Sequence, residues 1–139
     1  MARTAAEVDS RLIAFVLPSS PESVRIARFH VRAALDFHGL GEYVDDAETI
    51  TSELVTNVVR HVCDNGAETI EVSLTRDRTP AAVTVTVSDS SPDGPIRCDA
   101  SADSLQGRGL QIVEALSAHW GWQQQEGGKA IFATLTRVA

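Results

Sequence analysis

The sequence predicts an α+β domain in which helices pack on one face of a mixed β-sheet. Three observations predict it. Apolar residues recur with a 3.6-residue period over 21–37 and 44–62, which marks two amphipathic helices. They alternate over 69–75 and 82–88, which marks two half-buried strands. The last stretch reads strand, Gly-containing turn, strand. The 139 residues suit one domain able to bury its own core.

The elements follow in order. Leu12 to Leu17 is an apolar run with strand character, ended by Pro18. Ser19-Ser20-Pro21-Glu22 reads as a helix start, with Ser capping, Pro in the first turn and Glu reaching back. Val24, Ala27, Val31, Ala34, Leu35 and His38 form the inward stripe of the first helix, and Gly39 and Gly41 break it. Ala47, Ile50, Leu54, Val58 and Val62 mark the buried stripe of the second. Asp64-Asn65-Gly66 is a turn signal. Ile70, Val72 and Leu74 face one way in the next strand, and Asp77 to Pro80 connects it in hairpin fashion to a strand with Val83, Val85 and Val87 inward. From Asp89 to Gln106 no period survives and Ser, Pro, Asp and Gly dominate. An irregular stretch that long inside a small domain suggests a functional lid, placed at 90–106. A third helix is expected over 109–118, with Leu110, Ile112, Val113 and Leu116 apolar. Strands over 120–125 and 130–137 flank the turn Glu126-Gly127-Gly128-Lys129. Trp120 and Trp122 are expected in the core. Residues 1–10 are expected to be a flexible N-terminus.

Composition narrows the function classes. Hydrophobic residues make up 43% and charged residues 22%, an ordinary globular balance. No apolar run approaches the ~20 residues of a membrane span, and the first residues lack the basic-then-apolar order of a secretory signal. A cytoplasmic location is the expectation. Cys63 and Cys98 are too few for a disulfide framework, have no metal-ligand spacing, and are read as reduced thiols. A net charge of -7 argues against nucleic acid as a direct partner. Arg25, Arg28 and Arg32 lie at helical spacing and could form a basic patch, although such a stripe is more often a solvated helix face.

Three constellations could carry chemistry. Glu53, Asn57 and His61 fall at i, i+4 and i+8, so their side chains share one face of the second helix. A carboxylate, an amide and an imidazole there could hold a metal ion through oxygen and polarise a water. By spacing alone, a polar face with local hydrogen bonds is the commoner meaning. Gly107-Arg108-Gly109-Leu110 directly precedes a helix. Its glycines let backbone N–H groups approach phosphates, the helix N-terminus favours anions, and Arg108 could add a charged contact. Taken alone it is also an ordinary loop-to-helix transition. Asp89 closes a strand, where its carboxylate could accept a hydrogen bond from an adenine amino group or simply start a turn.

Together and in this order the three resemble the GHKL ATP-binding fold of gyrase, Hsp90, histidine kinases and MutL. Within it, Ser52-Glu53-Leu54-Val55-Thr56-Asn57 and Gly107-Arg108-Gly109-Leu110 are most similar to the anti-sigma factor serine kinases of the RsbW and SpoIIAB kind and their short actinobacterial relatives. The resemblance covers about residues 12–137. It implies a Bergerat two-layer sandwich with an ATP lid, and ATP and Mg²⁺ as cofactors. It implies that Asn57 holds the Mg²⁺ and that Glu53 is the catalytic base. It places Arg60 and His61 near the phosphate or metal end and Asp89 against adenine. Gly107, Arg108, Gly109 and Leu110 form the phosphate-cradling box, and Thr134 is a candidate for an adenine-side contact. One departure stands out: the usual Asp-x-Gly-x-Gly reads Asp89-Ser90-Ser91-Pro92-Asp93, with Ser91 and Asp93 in place of the glycines.

The function implied is an anti-sigma factor with serine/threonine kinase activity toward an anti-anti-sigma (STAS) protein, regulating transcription by partner switching. A sigma factor or another transcription regulator would be its target. The alternative is a non-catalytic, nucleotide-responsive module that sequesters such a regulator, and a free-standing ATP hydrolase is a third reading. Homodimers are common in this family, so a homodimer is a further expected partner. With no histidine-bearing helix pair ahead of the domain in this sequence, a complete sensor histidine kinase is not the expectation.

Overall fold

The first strand, β1 (Arg11–Pro18), leads into two long helices, α1 (Glu22–Phe37) and α2 (Val44–Arg60), separated by a 3-10 turn at Gly41–Tyr43. Strands β2 (Thr69–Arg78) and β3 (Ala81–Asp89) follow, then α3 (Arg108–Leu116), β4 (His119–Gln125) and β5 (Gly128–Thr136). This is a computed structural model, and it describes residues 10–60, 69–78, 81–89, 108–125 and 128–136. The expected lid, all but Ser10 of the N-terminal segment 1–10 expected to be flexible, Cys63 and Cys98 lie outside those residues.

The strands form one sheet in the order β1-β2-β3-β5-β4. Every pairing is antiparallel, so the expected mixed sheet is corrected to an antiparallel one. The reason is that the last two strands form a hairpin and its second strand, not its first, lies against β3. A right-handed crossover to a parallel neighbour is therefore never needed.

Alternation decides which face is covered. Val83, Val85 and Val87 of β3 are fully buried, whereas Thr84, Thr86 and Ser88 are half-exposed. Their register partners Ile131, Ala133 and Leu135 on β5, and Val72 and Leu74 on β2, are buried with them. All three helices pack over this apolar face. Helix α2 is the middle one, lying on β3 and β5 between α1 and α3, and α1 lies over β1. Leu35 and Val31 of α1, Ile50, Leu54 and Val55 of α2 and Val113 of α3 are fully buried against it. Burying each such side chain stabilises the fold by about 1.5–3 kcal/mol relative to exposure.

Local chemistry sets the helix ends. The start of α1 differs from the expected Ser cap, because Pro21 occupies the cap position and no side chain caps it. The first-turn donors are already served by backbone, Ser23 N–H by the Ser20 carbonyl (3.0 Å) and Val24 N–H by that of Pro21 (3.2 Å). The Ser23 hydroxyl instead donates back to the Pro18 carbonyl and ties the helix to β1. His38, expected in the inward stripe, is the C-cap. Beyond it the Gly39 N–H donates to Asp36 (3.2 Å) and the Leu40 N–H to Leu35 (2.8 Å), a Schellman closure. That closure requires the left-handed φ of +71° at Gly39. At the end of α3 the Ser117 N–H and hydroxyl both donate to the Val113 carbonyl, at 3.0 and 2.6 Å. The Ala118 N–H already reaches the Thr134 carbonyl of β5 at 2.7 Å, so the helix stops two residues earlier than its pattern predicts. Trp120 packs against the core as expected, but Trp122 is 49% exposed. No described helix is long and apolar enough to cross a membrane.

Candidate functional site

Helix α2 carries the first two site residues. Its core-facing row is Ala47, Ile50, Leu54 and Val58. Glu53 and Asn57 lie beside that row and are half-buried. Two contacts identify the flank they occupy. Glu48, on one flank, accepts a 3.2 Å charged hydrogen bond from Arg32 of α1. Asp46, on the other, lines a cleft with Leu116 and Ser117 at the end of α3. At 100° per residue, Glu53 and Asn57 fall on the Asp46 side. They therefore line the flank of α2 that faces α3.

Strand β3 supplies the third residue. Asp89 is its last residue and continues the row of Val83, Val85 and Val87, so its side chain lies on the helix-covered face. It is only 6% exposed, and its register partner on β2 is Ile70. A carboxylate buried at a strand end under a helix layer is costly without polar partners, and Asp89 makes contacts there. Because α2 and α3 run antiparallel over the sheet, the C-terminal half of α2 and the start of α3 meet at one end, the end where β3 stops. The phosphate-box residues Arg108, Gly109 and Leu110 open α3, and Leu110 is buried at 6% exposure. Gly107 and His61 lie outside the described residues, as do the side chains of Arg60 and Arg108.

Thr134 is not part of this arrangement. It pairs with Thr84, five residues up β3 from Asp89, about 16 Å along the strand. Its hydroxyl bonds that of Thr84 at 2.8 Å on the sheet face that carries no helix. The register turns Thr134 to the opposite face of the sheet from Asp89. The parity of the β3–β5 pairing decides this, and no local pattern in β5 reports it. Two clefts formed by described residues lie at the far end of the sheet, sharing Glu42 and Tyr43, and touch none of the site residues.

Oxygen donors dominate the cluster: the Asn57 amide, the Glu53 carboxylate and the Asp89 carboxylate. That set suits a hard cation of the Mg²⁺ kind and a polar, hydrogen-bonding ligand. Among the described residues no group of three His, Cys, Asp or Glu forms a metal cage by itself.

A two-layer fold with three helices over one face of a five-stranded antiparallel sheet is that of a GHKL-type domain. The chain belongs to the histidine kinase-like ATPase domain family, whose model matches residues 17–135. It is similar in structure to the RsbU and RsbW domains of Rv1364c from Mycobacterium tuberculosis, at TM-score 0.65 and 21% identity, covering 89% of this chain and 31% of that one. This chain thus spans under a third of the mycobacterial one. It is also similar to a chain of the SiaB–SiaC complex from Pseudomonas aeruginosa, at TM-score 0.62 and 14% identity, covering 94% of each. No curated protein matches the chain.

Proposed function

We propose that the chain is an ATP-binding anti-sigma factor that phosphorylates serine or threonine on an anti-anti-sigma (STAS) partner, in the cytoplasm, and so regulates transcription by partner switching. The observation that supports this reading is the position of half-buried Glu53 and Asn57 on the α3 flank of α2, together with a buried Asp89 closing β3 on the helix-covered face. Membership in the ATPase family supports a nucleotide there. Fold likeness to a chain of the SiaB–SiaC complex supports a protein partner.

Each residue has a separate task. The Asn57 amide oxygen would be the protein ligand of Mg²⁺. The Asp89 carboxylate would accept a hydrogen bond from the adenine amino group. The backbone amides at Gly107 and Gly109, with Arg108, would hold the phosphates at the start of α3. Arg60 and His61 would lie toward the phosphate and metal end. Bound ATP and Mg²⁺ supply the phosphoryl group and the charge neutralisation its transfer needs. Glu53 would take the proton of the incoming hydroxyl, a role worth roughly 10²–10⁴-fold in rate.

Titration of ATP into the protein, with and without Mg²⁺, tests the reading beside Asn57→Ala. Binding that needs Mg²⁺ and is lost in the variant is expected. Absence of binding at millimolar ATP would overturn it.

A second reading rests on Ser91 and Asp93 standing where the family carries glycines. Loss of those glycines restricts backbone approach and lid hinging. It favours a module that sequesters a sigma factor or another regulator without chemistry. Regulation that persists with Glu53→Ala in cells would select this reading.

A further inference from the structure

The larger of the two far-end clefts lies between the start of α2, the end of α3 and the end of β5. Its volume, about 480 Å³, falls in the range of small-ligand sites. Leu116 and Leu135 give it an apolar wall, and Glu42 and Asp46 give it carboxylates. No Lys, Arg or His lines it among the described residues. The end of α3 adds to the negative sign. The helix dipole points its negative pole there, and the last turn of α3 carries no basic side chain to meet it. Asp46 makes no ion pair with a described residue, whereas Glu42 already has a partner. Asp46 is thus the carboxylate left to a ligand.

Tyr43 supplies an independent sign of a ligand. It is 5% exposed and lines both this cleft and its smaller neighbour of about 200 Å³. A buried tyrosine hydroxyl normally has a hydrogen-bond partner. That of Tyr43 has none among the described residues. Nor is it sealed from solvent, as the unpartnered hydroxyls of Thr51 and Ser52 are. It therefore opens into the clefts that Tyr43 lines. Arg76 and Arg78 line the smaller one, so a cation is repelled on that side and drawn to the side of Asp46.

We propose that the larger cleft is a binding site for a small organic cation, an ammonium or amidinium group carried on an apolar body. Its N–H groups donate to the Asp46 carboxylate and to the Tyr43 hydroxyl oxygen. Its apolar body lies against Leu116 and Leu135. A bare metal ion fits less well, because no three His, Cys, Asp or Glu are grouped to hold one among the described residues. None of Glu53, Asn57 and Asp89 lines the cleft, so binding there does not depend on a nucleotide.

Benzamidine, titrated into the isotopically labelled whole chain up to roughly 50 mM and followed by amide NMR shifts, tests this. Saturable shifts are expected at Tyr43, Asp46 and Leu116, with a dissociation constant of about 10 mM or tighter. None is expected at Asn57 or Asp89. Benzoate, an anion of nearly the same shape, should bind at least about tenfold more weakly. Asp46→Asn should weaken benzamidine binding by about threefold or more. Tyr43→Phe keeps the packing, removes only the hydroxyl, and should weaken it by about the same factor. Absence of saturable shifts overturns the proposal, including the case in which Arg137, next after Thr136, already supplies the cation. So does benzoate that binds as well as benzamidine, or benzamidine binding that is indifferent to either substitution.

Discussion

The hydroxyls of Thr84 and Thr134 hydrogen-bond at 2.8 Å between β3 and β5, on the side of the sheet away from the helices. That bond separates Thr134 from Asp89, which shares β3 with Thr84 but points to the other side. Two residues that a linear reading joins in one binding site are thereby assigned different surfaces.

Thr134→Val and Asp89→Asn should therefore behave oppositely. Thr134→Val leaves ATP affinity unchanged and lowers stability by no more than about 1 kcal/mol, the net worth of one hydroxyl hydrogen bond. Asp89→Asn keeps the shape but replaces a double acceptor with a group that also donates. It should weaken ATP binding by about tenfold or more and narrow the preference for ATP over GTP. Calorimetry with both nucleotides on both variants checks this.

Glu53→Gln separates binding from chemistry. The amide retains the size and half-buried position of Glu53 but cannot take a proton. ATP affinity should stay within a few-fold of wild type, while phosphorylation of a STAS substrate falls by roughly 10²–10⁴-fold. An equal fall in affinity would make Glu53 a ligand-binding group, not a base.

Gly39→Ala should destabilise the fold. Nothing lies within 4 Å of a Cβ placed there, so the penalty comes only from the φ of +71°. The expected loss is about 1 kcal/mol, or several degrees in melting temperature. Gly41→Ala, also in open space and with no positive φ, should not show it.

Thr51→Val should act in the other direction. Thr51 is fully buried on α2, and its hydroxyl has no hydrogen-bond partner among the described residues. An unsatisfied buried hydroxyl costs about 1–3 kcal/mol, and valine fills the same space without it. A higher melting temperature is expected, and helix propensity does not offset it because threonine and valine are about equal in that respect.

Much of this was legible in the sequence because much of it is local. Period 3.6 placed α1 and α2 to within two residues. Alternation assigned Val83, Val85 and Val87 to the core. Glu53 and Asn57 shared a flank by spacing alone. What the sequence could not carry depends on distant pairings. The place of β5 between β3 and β4, the antiparallel sheet and the face of Thr134 all follow from register between segments far apart in the chain. The missing Ser cap has a different cause: the backbone of the first turn of α1 already met its own donors, and Ser23 found a better acceptor in Pro18. Trp122 alternates with Trp120 as a core residue should, yet it lies on an edge strand where coverage runs out.

The position of β5 also bears on how the domain comes into being. The strand made last among those described stands between two made earlier, and it is the one that closes the side of β3. In a nascent chain that has reached only α3, β1, β2 and β3 can form a meander, but β3 offers a bare row of backbone donors and acceptors next to Asp89. Completion of the sheet and enclosure of the site at its end are thus a single late event. A chain interrupted before β5 would be exposed to strand-to-strand aggregation at the same edge where the finished protein is closed.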